Sequence, residues 1–198
     1  MTQVDYRPLL HPDDTRGAPG ALVAVQALVN TAEHRGAEDV LASPAAASAW
    51  LARAGLSEPL GRGDWEGLIE AREALRTLLA VNAGLEGGDA AEAAAAALRA
   101  VARVEVDVAP DGGVTLRGDG DGARRLVADA LVAIHDAQVA GTWPRLKVCA
   151  DPTCRWAFYD ASRNRAGAWC SMAECGNRAK AQRFRSRRQA SSSTQASQ

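Results

Sequence analysis

Apolar positions recur three and four residues apart through most of the first 140 residues, the period of helices buried along one stripe. Leu22, Val25, Leu28 and Val29 share one face of a first helix beginning at Gly20, and this pattern runs out near His34 to Gly36. Ser43 as cap and Pro44 at the first helical position announce a second helix, with Ala47, Trp50, Leu51 and Ala54 inward and Gly55 as its stop. Asp64 is placed to cap a third, longer one, whose buried side carries Leu68, Ala71, Leu75, Leu78 and Leu79 and which ends at Asn82 to Gly84. Glu70, Arg72, Glu73 and Arg76 fall on its other faces at the spacing of ordinary surface pairs.

After Gly87-Gly88-Asp89 an alanine-rich helix is expected from about Ala90 to Arg103. The period then changes. Val104, Val106 and Val108 alternate with Glu105 and Asp107, Pro110 to Gly113 turn the chain, and Val114 and Leu116 resume the alternation, which predicts a β-hairpin. A last helix runs from about Gly122 to Ala140 with Leu126, Val127, Ala130, Leu131 and Ile134 inward, and Gly141-Thr142-Trp143-Pro144 breaks it. The fold class that follows is a mainly α domain with one small hairpin (α+β), succeeded by a separate cysteine-bearing module. Four segments are expected: an extended arm (1–19), a mostly helical domain (20–143), the module (144–189) and a disordered polar tail (190–198).

The near-zero net charge of −1 conceals a polarity. Residues 145–188 hold eleven basic and three acidic residues, a net +8, whereas the first 144 hold twelve basic and twenty-one acidic residues, a net −9. No apolar run is long enough to cross a bilayer and the N-terminus lacks a signal-peptide pattern, so a cytoplasmic chain with reduced cysteines is expected. The acidic domain advertises little chemistry. It carries no G-x-G-x-x-G, G-x-x-x-x-G-K-[ST] or G-x-S-x-G motif, and Gly118 to Gly122 (G-D-G-D-G) lacks the further ligands of a calcium loop and reads as a turn. His11, His34 and His135 have no metal-ligand spacing. Asn30 and Arg72, polar residues on otherwise apolar helices, are its candidate small-molecule ligands, with helix capping or surface pairing as the plainer account.

All four cysteines lie in the basic segment, as Cys149-x4-Cys154 and, fifteen residues on, Cys170-x4-Cys175. Two close pairs joined by a short loop can bring four sulfurs around one tetrahedral centre, and a single structural zinc fits best. Iron–sulfur clusters also use four cysteines. Disulfides are disfavoured without a secretion signal, and neither pair has the C-x-x-C spacing of redox thiols. Four thiolates close the coordination shell, so no catalytic role for the metal is expected. Some forty residues cannot bury a sufficient core, and structural zinc contributes on the order of 10 kcal/mol to such modules. Losing one cysteine should therefore unfold the module and leave the helical domain standing.

Trp156 and Phe158 alternate with smaller or polar neighbours as a short strand would, Asp160 to Asn164 can turn the chain, and Trp169 returns beside Trp156. From Gly176 the chain reads as a helix with Asn177 as cap. Ala181, Phe184 and the stem of Arg188 share a side expected to pack on the tryptophans, while Lys180, Arg183 and Arg187 form one further stripe and Arg178, Gln182 and Arg185 another. Knuckle, hairpin and a knuckle opening into a helix make a treble-clef-like arrangement.

This segment resembles the CGNR zinc finger family: the motif stands as Cys175-Gly176-Asn177-Arg178, preceded by Cys149-Ala150-Asp151-Pro152-Thr153-Cys154-Arg155-Trp156 and Ser162-Arg163-Asn164-Arg165. Ala27-Leu28-Val29-Asn30-Thr31 and Ala71-Arg72-Glu73-Ala74-Leu75-Arg76 are similar to the ABATE domain found ahead of that finger. The resemblance implies four cysteine ligands to zinc, DNA binding by the module and membership of a group of bacterial stress-induced transcription regulators. The expected partner is duplex DNA, with Arg163, Arg165, Arg178, Lys180, Gln182, Arg183, Arg185, Arg187 and Arg188 as its contacts and Arg178, Gln182 and Arg185 as candidates for base edges. A small-molecule effector on the acidic domain is the second expected partner. An RNA-binding or protein-docking adaptor is the alternative. No feature of the sequence calls for an enzyme.

Overall fold

A computed structural model describes residues 4–32 and 39–195, with side chains to residue 186. The first helix ends at Val29 with Asn30 as its C-cap, before the end expected near His34 to Gly36, residues that themselves lie outside the described ones. Among the described residues the chain is mainly helical, with two two-stranded antiparallel sheets: α1 (Val23–Val29), α2 (Pro44–Ala52), α3 (Arg62–Asn82), α4 (Gly88–Val101), β1 (Val104–Val108), β2 (Val114–Gly118), α5 (Gly122–Val139), β3 (Leu146–Val148), β4 (Ala157–Tyr159) and α6 (Asn177–Gln195).

The helix signals in the sequence act largely as their chemistry requires. The Ser43 hydroxyl accepts from the Ala46 amide at 3.2 Å and Pro44 opens α2, whose Ala47, Trp50 and Leu51 are buried. Gly84, at φ +69°, ends α3 by letting Leu85 N bond back to Ala80 O. Three details differ. The N-cap of α3 is Gly61, with Asp64 inside the first turn. All seven residues of α1 are buried, because α3, α5, β4 and the N-terminal segment surround it. Arg72 and Arg76, expected on the surface of α3, are buried as well, since the chain after α1 and the first cysteine loop pack over that face.

The N-terminal segment is not an extended arm. It makes a short 3-10 turn at Arg7–Leu9 and buries Tyr6, Leu9 and Ala18 in the main core. Tyr6 donates to Asp129 of α5 at 2.6 Å, and the Trp50 indole donates to Leu9 O at 3.3 Å. The expected β1–β2 hairpin forms, with Val104 opposite Gly118 and Val108 opposite Val114. Its valines, however, are exposed. The ribbon meets α5 mainly through β2, and Gly118 permits that approach, since a Cβ there would collide with Asp129 and Ala128.

One hydrophobic core runs across the expected boundary at residue 143. Leu146, Val148 and Ala157, from the strands that bracket the first cysteine pair, are fully buried with Leu28, Leu75 and Leu79. The Asn82 amide at the end of α3 donates to Trp143 O and Leu146 O, each at 3.0 Å, and fixes the crossing. β4 pairs with β3 along one edge. Its other edge is filled by groups from the N-terminal half. Asn30 Oδ1 accepts from Ala157 N at 2.7 Å, Asn30 Nδ2 donates to Ala157 O at 3.0 Å, and Tyr159 N donates to Arg16 O at 3.0 Å. The Asn30 side chain thus stands in for a neighbouring strand.

Replacing Asn30 by Ala leaves the Ala157 amide, and largely its carbonyl, without a buried partner, a loss of about 2 to 4 kcal/mol. The expected outcome is a lowered midpoint of denaturant unfolding, with faster hydrogen exchange at Ala157 and Tyr159.

Candidate metal centre and basic helix

The first cysteine pair sits in the turn between β3 and β4. Cys149 N extends the ladder by donating to Trp156 O at 2.9 Å, and Cys154 N donates to Asp151 O at 2.9 Å. Arg155 closes the knuckle in the left-handed region, at φ +52°, which costs a side-chain-bearing residue on the order of 1 kcal/mol. Buried Arg76 of α3 holds it there, donating to Arg155 O at 3.1 Å while its other donors reach Val29 O at 2.7 Å and Glu73 at 3.0 Å. The second knuckle is a single wide helical turn, Met172–Gly176, that leads straight into α6. Its cap is Ser171, whose hydroxyl accepts from Glu174 N at 3.3 Å; Asn177, expected as cap, lies within the continuous helix and donates to Ala173 O at 3.0 Å. Gly176 leaves room for Met172 and Trp169, since a Cβ would lie 2.9 Å from the Met172 sulfur.

The four Sγ atoms lie within 4.8 Å of one another, Cys154 to Cys170 at 3.6 Å and Cys170 to Cys175 at 3.7 Å. A tetrahedral ion with bonds of about 2.3 Å sets its sulfurs about 3.8 Å apart. A disulfide would need about 2.05 Å, and all four cysteines are free. Hydrogen bonds from Cys154 and then Cys170 pull the Cys149 thiol down to about 4, while Cys170, bonded first to Cys149, is pushed up. Crowded sulfurs of this kind stabilise one thiolate at their neighbours' expense, and further thiolates require a cation among them. The donor set and its spacing fit one zinc ion, held by Cys149, Cys154, Cys170 and Cys175. Trp156 and Trp169 pack against the cluster, as their spacing suggests.

Sequence reasoning missed what surrounds the cluster. Asp160, wholly buried, accepts from Lys147 Nζ at 3.1 Å, Ser162 Oγ at 2.6 Å, Ser162 N at 3.1 Å and Gly167 N at 2.7 Å, with Arg16 Nη2 3.6 Å away. Burial alone would raise its carboxyl; those bonds hold it well below the usual carboxylate range. The loop 160–167, with exposed Arg163 and Arg165, is wound around this carboxylate. A second hub is Asp14, which accepts from Asn30 at 2.6 Å, Trp156 Nε1 at 3.0 Å and His11 N at 2.9 Å, while His11 stands edge-on to Trp156 at 5.1 Å. Arg16 donates to Trp169 O at 2.8 Å and covers the Phe158 ring at 4.5 Å. Nothing local in the sequence marks these partners, because most of them come together from segments 7 to 153 positions apart.

The two candidate ligand residues do not converge. Asn30 is occupied by Ala157 and Asp14, and Arg72 by Asp39 at 2.7 Å, Glu73 at 2.8 Å and Thr31 at 3.3 Å. A cleft of about 330 Å³ lies instead against Asp14, Arg16, Gln26, Trp156, Cys154 and Cys170. Lys180, Gln182, Arg183 and Arg185 are exposed on α6. Arg178 is tied to the first knuckle, donating to Asp151 Oδ2 at 3.2 Å. The side chains of Arg187 and Arg188 lie outside the described residues. α6 packs chiefly on its own preceding turn, and Phe184 is 61% exposed and not tucked under the tryptophans. The backbone stays helical to Gln195, into the tail expected to be disordered, because Arg, Gln, Ala and Ser continue a helix already nucleated at the knuckle. Residues 196–198 lie outside the described residues.

Removing zinc with a chelator should release the second knuckle and α6 while β3 and β4 stay packed; hydrogen exchange is expected to rise across 168–186 and to change little at 146–148. Because thiols that are still protonated, Cys170 among them, must lose their protons to bind the ion, apparent zinc affinity should rise with pH in competition titrations. The Asp160 carboxyl is depressed in the folded state, so its stabilisation is complete above its ordinary value of about 3.9 and is lost as pH falls below it. Asp160→Asn should flatten the acid limb of the stability curve and lower the plateau, whereas Asp160→Ala, which strands Lys147, should cost about 3 to 5 kcal/mol.

No helix among the described residues is long and apolar enough to cross a membrane. A family model described as CGNR zinc finger matches residues 145–188, and one described as ABATE, "putative stress-induced transcription regulator", matches residues 22–151. The two matches overlap over residues 145–151, which contain β3 and Cys149, the part of the finger that the helical core shares. A search of curated proteins finds no match. The ABATE match spans well over half of the chain and the finger motif is complete, so this protein belongs to the ABATE family and carries a CGNR zinc finger arranged for one zinc ion.

Proposed function

We propose that the chain is a zinc-dependent, DNA-binding transcription regulator in which α6 contacts duplex DNA and the N-terminal domain senses a small molecule. The observation that carries the reading is α6 itself: a helix of nineteen residues, begun by a zinc knuckle, that presents Lys180, Arg183 and Arg185 to solvent. At 1.5 Å per residue it is roughly 28 Å long and suits a major groove. The family description, a stress-induced transcription regulator, supports the same reading. Trp156 and Trp169 are packed on the cysteine cluster, which leaves Phe184 as the exposed aromatic side chain that α6 carries among its cations. The sensor role is supported by the cleft, whose walls come from the N-terminal segment, α1, β4 and two zinc ligands, so that an occupant would touch both halves. No reaction is assigned to it.

The test is titration of the zinc-loaded chain with a labelled random-sequence duplex at several salt concentrations. Binding should weaken steeply with salt, and the triple replacement of Lys180, Arg183 and Arg185 by Ala should reduce the log–log slope by about 2.7, at about 0.9 per phosphate contact. Arg178→Ala should leave that slope nearly unchanged and weaken zinc retention, because Arg178 staples α6 to Asp151. Salt-independent or absent duplex binding by the parent chain would defeat the proposal.

A further inference from the structure

Phe184 is a large apolar side chain set among the cations of α6. Its side chain is 61% exposed, and Lys180, Ala181, Arg183 and Arg185 around it are exposed too. With 3.6 residues per turn, the described basic positions of α6 cover an arc of roughly 220°, from Arg183 and Lys180 on one flank to Arg185 and Arg178 on the other. Phe184 lies at the centre of that arc. Ala179, Gln182 and Ser186 occupy the opposite, uncharged side. When a cationic arc this wide straddles a groove, its flanks meet the two phosphate rims and its midline faces the groove floor. In a major groove the floor offers one apolar group, the thymine C5-methyl, which aromatic side chains contact.

From this placement we infer that Phe184 is a specificity residue of the DNA-contacting helix, reading thymine methyl groups at the groove floor while the flanking cations hold phosphates. The inference rests on the proposed DNA-binding function and adds to it what the helix reads. It also reassigns the base-contacting role: Arg178, at the edge of the arc, is engaged with Asp151, and Gln182 lies on the uncharged side.

The test uses the full zinc-loaded chain and the 30-base-pair duplex it most enriches from a random library, synthesised once with thymine and once with deoxyuridine, which differs only by the missing methyl. The parent chain should bind the thymine duplex more tightly, by about fourfold for each methyl contacted. Phe184→Ala should bind both duplexes alike, with the salt slope of the parent, and Phe184→Leu should keep part of the preference. Zinc content and helicity, measured alongside, should be unchanged. A parent chain that binds the duplex yet ignores the methyl, or a Phe184→Ala variant that keeps the full preference, would overturn the inference and leave DNA binding intact. If Phe184→Ala alters only the sedimentation of the free protein, the side chain is a contact between copies and the inference fails. Absence of any salt-dependent duplex binding would remove the parent reading and this one with it.

Discussion

The backbone of Ala157 is where the two halves of this protein become one. It lies in a three-residue strand with β3 on one side, and its remaining amide and carbonyl would be orphaned inside the core without Asn30. Three residues cannot hold a strand in place by their own propensity. The side chain of Asn30, anchored in a fully buried helix, completes the ladder, and Arg16 O does the same for Tyr159. The first zinc knuckle is the turn of that hairpin, so the position of the metal follows from the position of β4.

Buried charge reinforces the junction. Asp160 and Lys147 are both out of solvent, and such a pair is tolerated only when every remaining donor and acceptor is satisfied, as the Ser162, Gly167 and Arg165 contacts do here. Arg76 works from the other direction, with one guanidinium closing the end of α1, pairing with Glu73 and pinning the left-handed Arg155. These groups specify one arrangement of knuckle against helices more than they add net stability.

Metal and core divide the remaining labour. Removing the metal is expected to free the half of the finger that begins at Cys170, because the first half is held by Leu146, Val148 and Ala157 in the common core. The separation of an acidic body from a basic helix, visible as −9 and +8 along the chain, becomes a geometric separation once α6 leaves the knuckle without lying back on the body.

The helices, apart from the end of the first and the extent of the last, the hairpin at 104–118, the four metal ligands and the charge polarity were legible in the sequence, because each depends on residues near one another in the chain: a cap three residues from its amide, a period of two or 3.6, a cysteine five residues from its partner. What the sequence could not show is where polar side chains spend their bonds. Arg72 and Arg76 have the spacing of surface residues and do pair locally with Glu73, and Asn30 has that of a pocket residue, yet the bonds that hold all three inside reach groups 33 to 127 positions away. Phe184 has the pattern of a residue packed inward and lies outward, and the hairpin valines alternate as if one face were covered. An amphipathic pattern states that a side chain prefers burial. Whether another surface arrives to bury it is decided only by the tertiary structure, which sets what each face meets.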